Sequence, residues 1–221
     1  MSRKLVIFHT TPVTLTGLQP ALKRHLPNVQ VVNLLDDSML PEIQAAGKVT
    51  AGVRVRLQAA LVHAALTLSP DVMLCACSAI GPVFLSSQPL ISCPLVRIDR
   101  AMAQEAVNRA SRICVAATGA STLEPTRALL VELAEQAGKS VILTDCLISE
   151  AGPLLSAGDL AGYARIIQDR LLALRDPVDC IVLAQASMAQ ALSSFPVDLQ
   201  AKCLSSVESG ILSVKMMLGD T

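Results

Sequence analysis

The side chains of this chain best suited to proton transfer or nucleophilic attack near neutral pH are seven cysteines and three histidines. The cysteines fall at 75, 77, 93, 114, 146, 180 and 203, several inside apolar runs where a free thiol behaves as a small hydrophobe. Cys77 stands apart. It follows the strand predicted over 71–75 and precedes Ser78-Ala79-Ile80-Gly81-Pro82, small residues that leave a sulfur accessible. A thiol just ahead of a helix start can ionise early and act as base or nucleophile; a buried inert thiol is the other reading of the same residue. The remaining six cysteines read as inert. His9 closes the first apolar run, and its ordinary pKa near ~6.5 suits either a proton carrier or a hydrogen-bonded residue that orients its loop. His25 and His63 lie on helical patterns and read as surface residues. Cys75-Ala-Cys77 has the wrong spacing for zinc, so no metal is expected. An odd number of cysteines argues against a disulfide framework.

Two hydroxyl-rich segments accompany these groups. His9-Thr10-Thr11-Pro12-Val13-Thr14 follows the first apolar run, and Ala117-Thr118-Gly119-Ala120-Ser121-Thr122 follows a similar run in the second half. Hydroxyls and open backbone amides before a helix can seat a carboxylate, and they can equally cap the helix. Arg97, with Asp99 and Arg100 close behind, could clamp a second carboxylate, pair with Asp99 or serve as a surface residue.

The elements that must position these residues alternate. Strands are predicted near 5–8, 31–35, 71–75, 94–98, 113–117, 141–143, 180–183 and 203–205. Helices are predicted near 15–26, 53–68 (with Thr50 as its cap), 101–110, 124–137 and 159–174. The pattern restarts at a constant offset of 108 residues: Leu5 falls on Ile113, Thr10 on Thr118, Thr14 on Thr122, Asp37 on Asp145, Asp71 on Asp179, and Leu95 to Arg97 on Cys203 to Ser205. We therefore expect an α/β fold of two similar halves, 1–110 and 111–221, with the C-terminal helix free to cross back onto the first half. Each half should carry a mainly parallel sheet flanked by helices. A pseudo-twofold would place both sets of strand-end loops around one cleft.

With those loops defined, the chain resembles the aspartate/glutamate racemase superfamily, which includes hydantoin racemases, maleate isomerases and arylmalonate decarboxylases. The resemblance spans essentially the whole chain. It implies catalysis without a cofactor, with a cysteine from each half moving a proton at the substrate α-carbon. Cys77 matches the first-half cysteine of the Cys-Asn-Thr type motif, with Ser78 and Ala79 at the two following positions. Thr10, Thr11, Thr118, Ser121 and Thr122 match the loops that hold the substrate carboxylate, and His9 stands where some members carry an acidic residue. In the second half Gln185-Ala186-Ser187 occupies the place of the usual cysteine motif. A glutamine amide donates and accepts hydrogen bonds but does not titrate near neutrality. Three functions follow: an isomerase with Cys77 and a second group such as His9, a one-base decarboxylase or lyase in which Gln185 holds an enediolate, or a carboxylate-binding protein without catalysis.

Composition bounds the rest. Eighteen basic and 18 acidic residues leave no net charge, which provides no footprint for nucleic acid or anionic membrane. Aromatic residues make up 2%, too few for base stacking. An apolar fraction of 52% excludes disorder as the dominant state, and no run is long enough to span a bilayer. The N-terminus lacks the pattern of a signal peptide, so a cytoplasmic protein is expected. The expected partner is a small carboxylate or amino-acid substrate, and so apolar a chain is expected to assemble as a homo-oligomer, a dimer.

Overall fold

The computed structural model describes residues 2–174 and 177–219. β1 (Lys4–His9) leads through two short helices, α1 (Pro12–Gly17) and α2 (Gln19–His25), to β2 (Gln30–Leu35). α3 (Met39–Ala46) and α4 (Ala51–Leu68) follow, then β3 (Val72–Cys75), a 3-10 turn over Ser78–Ile80, α5 (Gly81–Ser86) and β4 (Leu95–Arg97). The sequence predicts one helix over 15–26, where the chain makes two that meet at Leu18. It does not predict α3, which is short and ends at Gly47 in the left-handed region. Thr50 caps α4 as expected, its hydroxyl accepting the Val53 N–H at 3.1 Å.

All strand pairs here are parallel, in the order β2-β1-β3-β4. Both faces of the central strands are covered, which is why they read as continuous apolar runs rather than alternating ones. Val6 and Phe8 of β1 share one face with Met73 and Cys75 of β3, packed on Val53, Leu57 and Leu61 of α4. Leu5, Ile7, Val72 and Leu74, on the alternate positions, are buried as well.

The second unit opens with α6 (Arg100–Arg109), and the repeat restarts with β5 (Arg112–Ala117), then α7 (Ala120–Gln136), β6 (Ile142–Leu147), α8 (Ala151–Ser156), α9 (Leu160–Leu172) and β7 (Cys180–Leu183). A 3-10 segment over Ala186–Ser194, α10 (Val197–Lys202) and β8 (Cys203–Ser205) complete it, again parallel, in the order β6-β5-β7-β8. α7 begins four residues before the predicted start, with Pro125 inside the helix; its ring removes one backbone donor without ending the element. Ile113, Val115 and Ala117 pack with α6 and α7, while Cys114 and Ala116 pack with Tyr163 and Ile167 of α9 on the other face.

The last helix, α11 (Ser206–Leu218), belongs with the first repeat: residues 2–98 and 207–219 form one compact unit, 99–206 the other. Arg24 and His25 of α2 both reach Glu208 of α11, at 2.8 and 2.6 Å. Each unit is thus an α/β layer structure around a four-stranded parallel sheet.

The strand registers test the 108-residue offset directly. Leu5 pairs with Val72 and Ile113 with Cys180; Met73 pairs with Leu95 and Ile181 with Cys203. These counterparts all lie 108 apart. The aspartates at the start of β3 and β7 do the same work: Asp71 accepts the Lys4 N–H at 2.7 Å and Asp179 the Arg112 N–H at 2.9 Å, each also bound by a neighbouring arginine. Those hydrogen bonds hold both carboxylates below their ordinary pKa, the Lys4 backbone N–H being the largest cause at Asp71 and the Arg112 side chain at Asp179.

Asp37 and Asp145, however, are not counterparts. Lys4 pairs with Gln30 and Arg112 with Ile142, so the second strands are 112 apart. Asp145 lies inside β6 opposite Val115 and binds Arg127 at 2.6 Å, whereas Asp37 lies in the turn after β2. The long helix α7 adds four residues between β5 and β6, and the connection from β6 to β7 is shorter by the same number. The matching aspartates are a coincidence of spacing.

Candidate active site

In parallel sheets the carboxyl ends of the strands carry the ligand-binding loops, because every crossover returns to the same edge. Four segments meet this condition: 9–14 after β1, 76–82 after β3, 117–122 after β5 and 184–188 after β7. In the first unit the two loops leave adjacent strands, tied by the Ala76 N–H donating to the Phe8 carbonyl at 2.9 Å.

Cys77 is partly exposed, while Cys75, Cys93, Cys114, Cys146, Cys180 and Cys203 are buried. Its backbone is extended, and the 3-10 turn and α5 start directly after it. The Cys75 thiol donates to the Cys77 carbonyl at 3.2 Å, which fixes the loop and gives Cys75 a structural task. Burial raises the pKa of Cys93 and Cys180, and pushes Cys203 up to about 12. Cys114 is raised by its hydrogen bond with Cys146 and by burial. Ser78 and Ala79, in the 3-10 turn that follows Cys77, are buried. Arg97, in register with Cys75, lays its guanidinium against Gly81; a Cβ there would stand 2.6 Å from Arg97 Nε, so glycine is required for this approach. Arg100, for its part, bonds Glu132 at 3.2 Å.

His9 is fully buried. Its Nδ1 lies 2.9 Å from the Thr14 hydroxyl and its Nε2 3.0 Å from the Asn33 carboxamide. Asn33 Oδ1 can only accept, so the neutral ring carries its proton on Nε2, and Nδ1 takes its hydrogen bond from the Thr14 hydroxyl, which also lies 3.0 Å from the Thr11 carbonyl. Burial lowers the pKa of His9, an effect partly offset by Asn33. Thr11 serves as the cap of α1, accepting the Val13 N–H at 3.2 Å. Thr10 is different: its hydroxyl is buried and has no hydrogen-bond partner.

In the second unit Thr118 donates both its backbone N–H and its hydroxyl to Gln185 Oε1, at 2.6 and 2.9 Å. Thr122 is buried, and the Thr126 hydroxyl donates to its carbonyl. The Ser121 hydroxyl is buried without a partner. Ser187 is buried and Ala186 half-buried beside the half-buried Gln185.

Sequence reasoning missed Tyr163. This residue of α9 is 1% exposed, and its hydroxyl lies beside those of Thr118 and Ser187 without a well-formed hydrogen bond. Burial holds its pKa above the ordinary tyrosine value. The available signal was the single tyrosine of a chain almost devoid of aromatics, on a helix predicted to pack on the second sheet.

Thus the structure joins His9, Thr11 and Thr14 in one network and Thr118 with Gln185 in another, with Ser187 and Tyr163 beside Thr118. Each network lies within its own unit. Among the described residues no group of three His, Cys, Asp or Glu side chains is arranged to hold a metal, and no helix is long and apolar enough to cross a membrane.

The architecture has known relatives. Glutamate racemase from Thermus thermophilus superposes with a TM-score of 0.74 at 17% identity, over 98% of this chain and 80% of that one. Aspartate racemase from Picrophilus torridus gives 0.74 at 12% identity, over 99% and 95%. Allantoin racemase from Klebsiella pneumoniae gives 0.72 at 17% identity, over 98% and 88%. Identities this low establish a shared fold. No curated protein matches the chain in sequence. The family model for Asp/Glu/Hydantoin racemase matches residues 6–214, nearly the whole length, and the chain belongs to that family.

Proposed function

We propose that the chain is a cofactor-independent racemase or isomerase that moves a proton at a carbon next to a carboxylate, with Cys77 as thiol base and acid. The observation that carries this reading is the exposure of Cys77 at a strand end while the other six thiols are buried. The adjoining loop carries the buried Thr10 hydroxyl, a donor with no hydrogen-bond partner among the described residues. In the reaction the thiolate takes the α-proton, the C–H electron pair moves into the carboxylate to give an enediolate, and the thiol returns a proton to carbon. The substrate class is a small amino acid or a hydantoin-like ring, the kinds of molecule named for the structural relatives. Thr10, Ser78 and Ala79 shape the first loop pair, and Thr118, Ser121, Thr122, Ala186 and Ser187 the second.

His9 is assigned to positioning. A ring with no exposed atom and both nitrogens engaged has no lone pair or proton to offer a substrate without breaking a buried hydrogen bond. Through Thr14 and the Thr11 carbonyl it holds the loop that carries Thr10.

The test is α-proton exchange followed by proton NMR in deuterated water, with a panel of amino acids, hydantoins and 2-substituted malonates. One positioned acid–base group contributes about 10²–10⁴-fold, so Cys77→Ala should lower exchange by at least about 100-fold with an unchanged circular dichroism spectrum. Exchange at the wild-type rate in Cys77→Ala would overturn the assignment.

A further inference from the structure

The helix α4 is apolar on both sides. Val53, Leu57, Leu61 and Ala64 form its buried row against the first sheet. On the opposite side Val55, Ala59, Val62 and Leu66 follow at intervals of four, three and four residues, which aligns them in a second row. Val55 is 64% and Leu66 78% exposed; Ala59 is exposed and Val62 half-buried. No Asp, Glu, Lys or Arg occurs from Leu57 to Leu68. In the second unit α9 holds the same place before the third strand, and there one face packs on the sheet while Arg165, Asp169 and Arg170 are exposed. Its exposed leucines, Leu160 and Leu172, stand at its two ends and not in one row. The outer apolar row is therefore peculiar to α4 and not a demand of the fold.

The row is also symmetric in its spacing. Two antiparallel copies of α4, related by a twofold axis midway between Ala59 and Val62, set Val55 against Leu66 and Ala59 against Val62 at both ends of the pair. A closed dimer of identical chains requires this kind of self-complementary patch. Charge points the same way. Arg54 is exposed in the first turn of α4, where its own helix disfavours a positive charge, and it has no ion pair among the described residues. The antiparallel pair brings it level with Thr67 of the second copy, beside the carbonyl end of that helix, where a positive charge is stabilising.

We propose that the outer face of α4 is a dimer interface, and that its occupant is α4 of a second copy of this chain, antiparallel about a twofold axis. One helix pair lies at the small end of specific interfaces, so the dimer forms and dissociates with concentration.

Two measurements on the full-length chain test this. Sedimentation velocity over a range of protein concentrations should show wild type passing from monomer to dimer. Ala59→Arg and Leu66→Arg, both at exposed positions, should keep the wild-type circular dichroism spectrum and raise the dissociation constant at least about tenfold, each placing an unpaired charge in the interface. Dimerisation equal in all three proteins overturns the interface. So does a wild-type chain that stays monomeric throughout, which would leave the face to a different occupant. In the second measurement Val55→Cys and Leu66→Cys chains are mixed, oxidised and mapped by mass spectrometry. The mixture should give a disulfide joining position 55 of one copy to position 66 of the other. Val55→Cys alone should give none at that position, since its two copies lie about 16 Å apart along the helix axes. A disulfide joining two copies of position 55, or no 55-to-66 disulfide from the mixture, overturns the antiparallel pair.

Discussion

A histidine that carries protons and one that braces a loop can share a sequence position, and burial separates them. His9 is enclosed as the neutral ring, with Thr14 and Asn33 on its two nitrogens. Its folded pKa is lowered, chiefly by burial, so the unfolded chain binds the proton first as pH falls. The stability contributed by the neutral ring is fully present above the unfolded value near ~6.5 and is lost as pH drops from there towards the folded value. His9→Gln should cost about 1–3 kcal/mol in urea unfolding at pH 7.5, the price of leaving buried partners unpaired. The gap to wild type should narrow at pH 5.5. A gap that widens on acidification would contradict burial as the neutral form.

At the scale of elements, close approaches decide which glycines matter. Gly210 lies in α11, where a Cβ would stand 2.5 Å from the backbone oxygen of Ile98. A backbone carbonyl cannot swing aside as a flexible side chain can, so the helix must shift. Gly210→Ala should therefore destabilise by about 1–3 kcal/mol in urea unfolding, despite the roughly 1 kcal/mol that alanine gains in helix propensity. Gly52→Ala is the internal control. Gly52 is an exposed position of α4 with its nearest neighbour at 3.5 Å, so the same substitution should be neutral or stabilising. A Gly210→Ala variant as stable as Gly52→Ala would mean that α11 does not press on Ile98. The sequence marked neither glycine, because the clash joins residues far apart along the chain.

At the scale of the whole molecule, the chain is two repeats that exchange their last helices: α6, which follows β4, belongs with the second unit, and α11, which follows β8 at the same offset, belongs with the first. Ile211 and Val214 of that helix are fully buried. Ile211→Ala should cost about 2–5 kcal/mol, and hydrogen exchange should show lost protection in β1–β4 while β5–β8 keep theirs. Loss confined to β5–β8 would show that α11 supports the other unit.

How much of this was legible beforehand differs by feature. Apolar runs at a constant offset revealed two parallel-sheet units, because a strand covered on both faces must be apolar at every position. The aspartates feeding β3 and β7 were legible for the same reason, each meeting the backbone N–H at the start of a neighbouring strand. The pairing of Asp37 with Asp145 failed because equal spacing in sequence does not guarantee equal register once a helix lengthens. Cys77 stood out through the small residues that follow it, and Gln185 through the 108-residue offset that makes it the counterpart of Cys77. What the sequence alone determined, then, was the repeated sheet and the chemical types at its strand ends, since both follow from local periodicity and composition. Tertiary structure alone decided which of those groups are free. Whether His9 is paired, Thr10 buried without a partner or Gln185 turned onto Thr118 depends on partners brought together by folding, 24 residues away for Asn33 and 67 for Thr118.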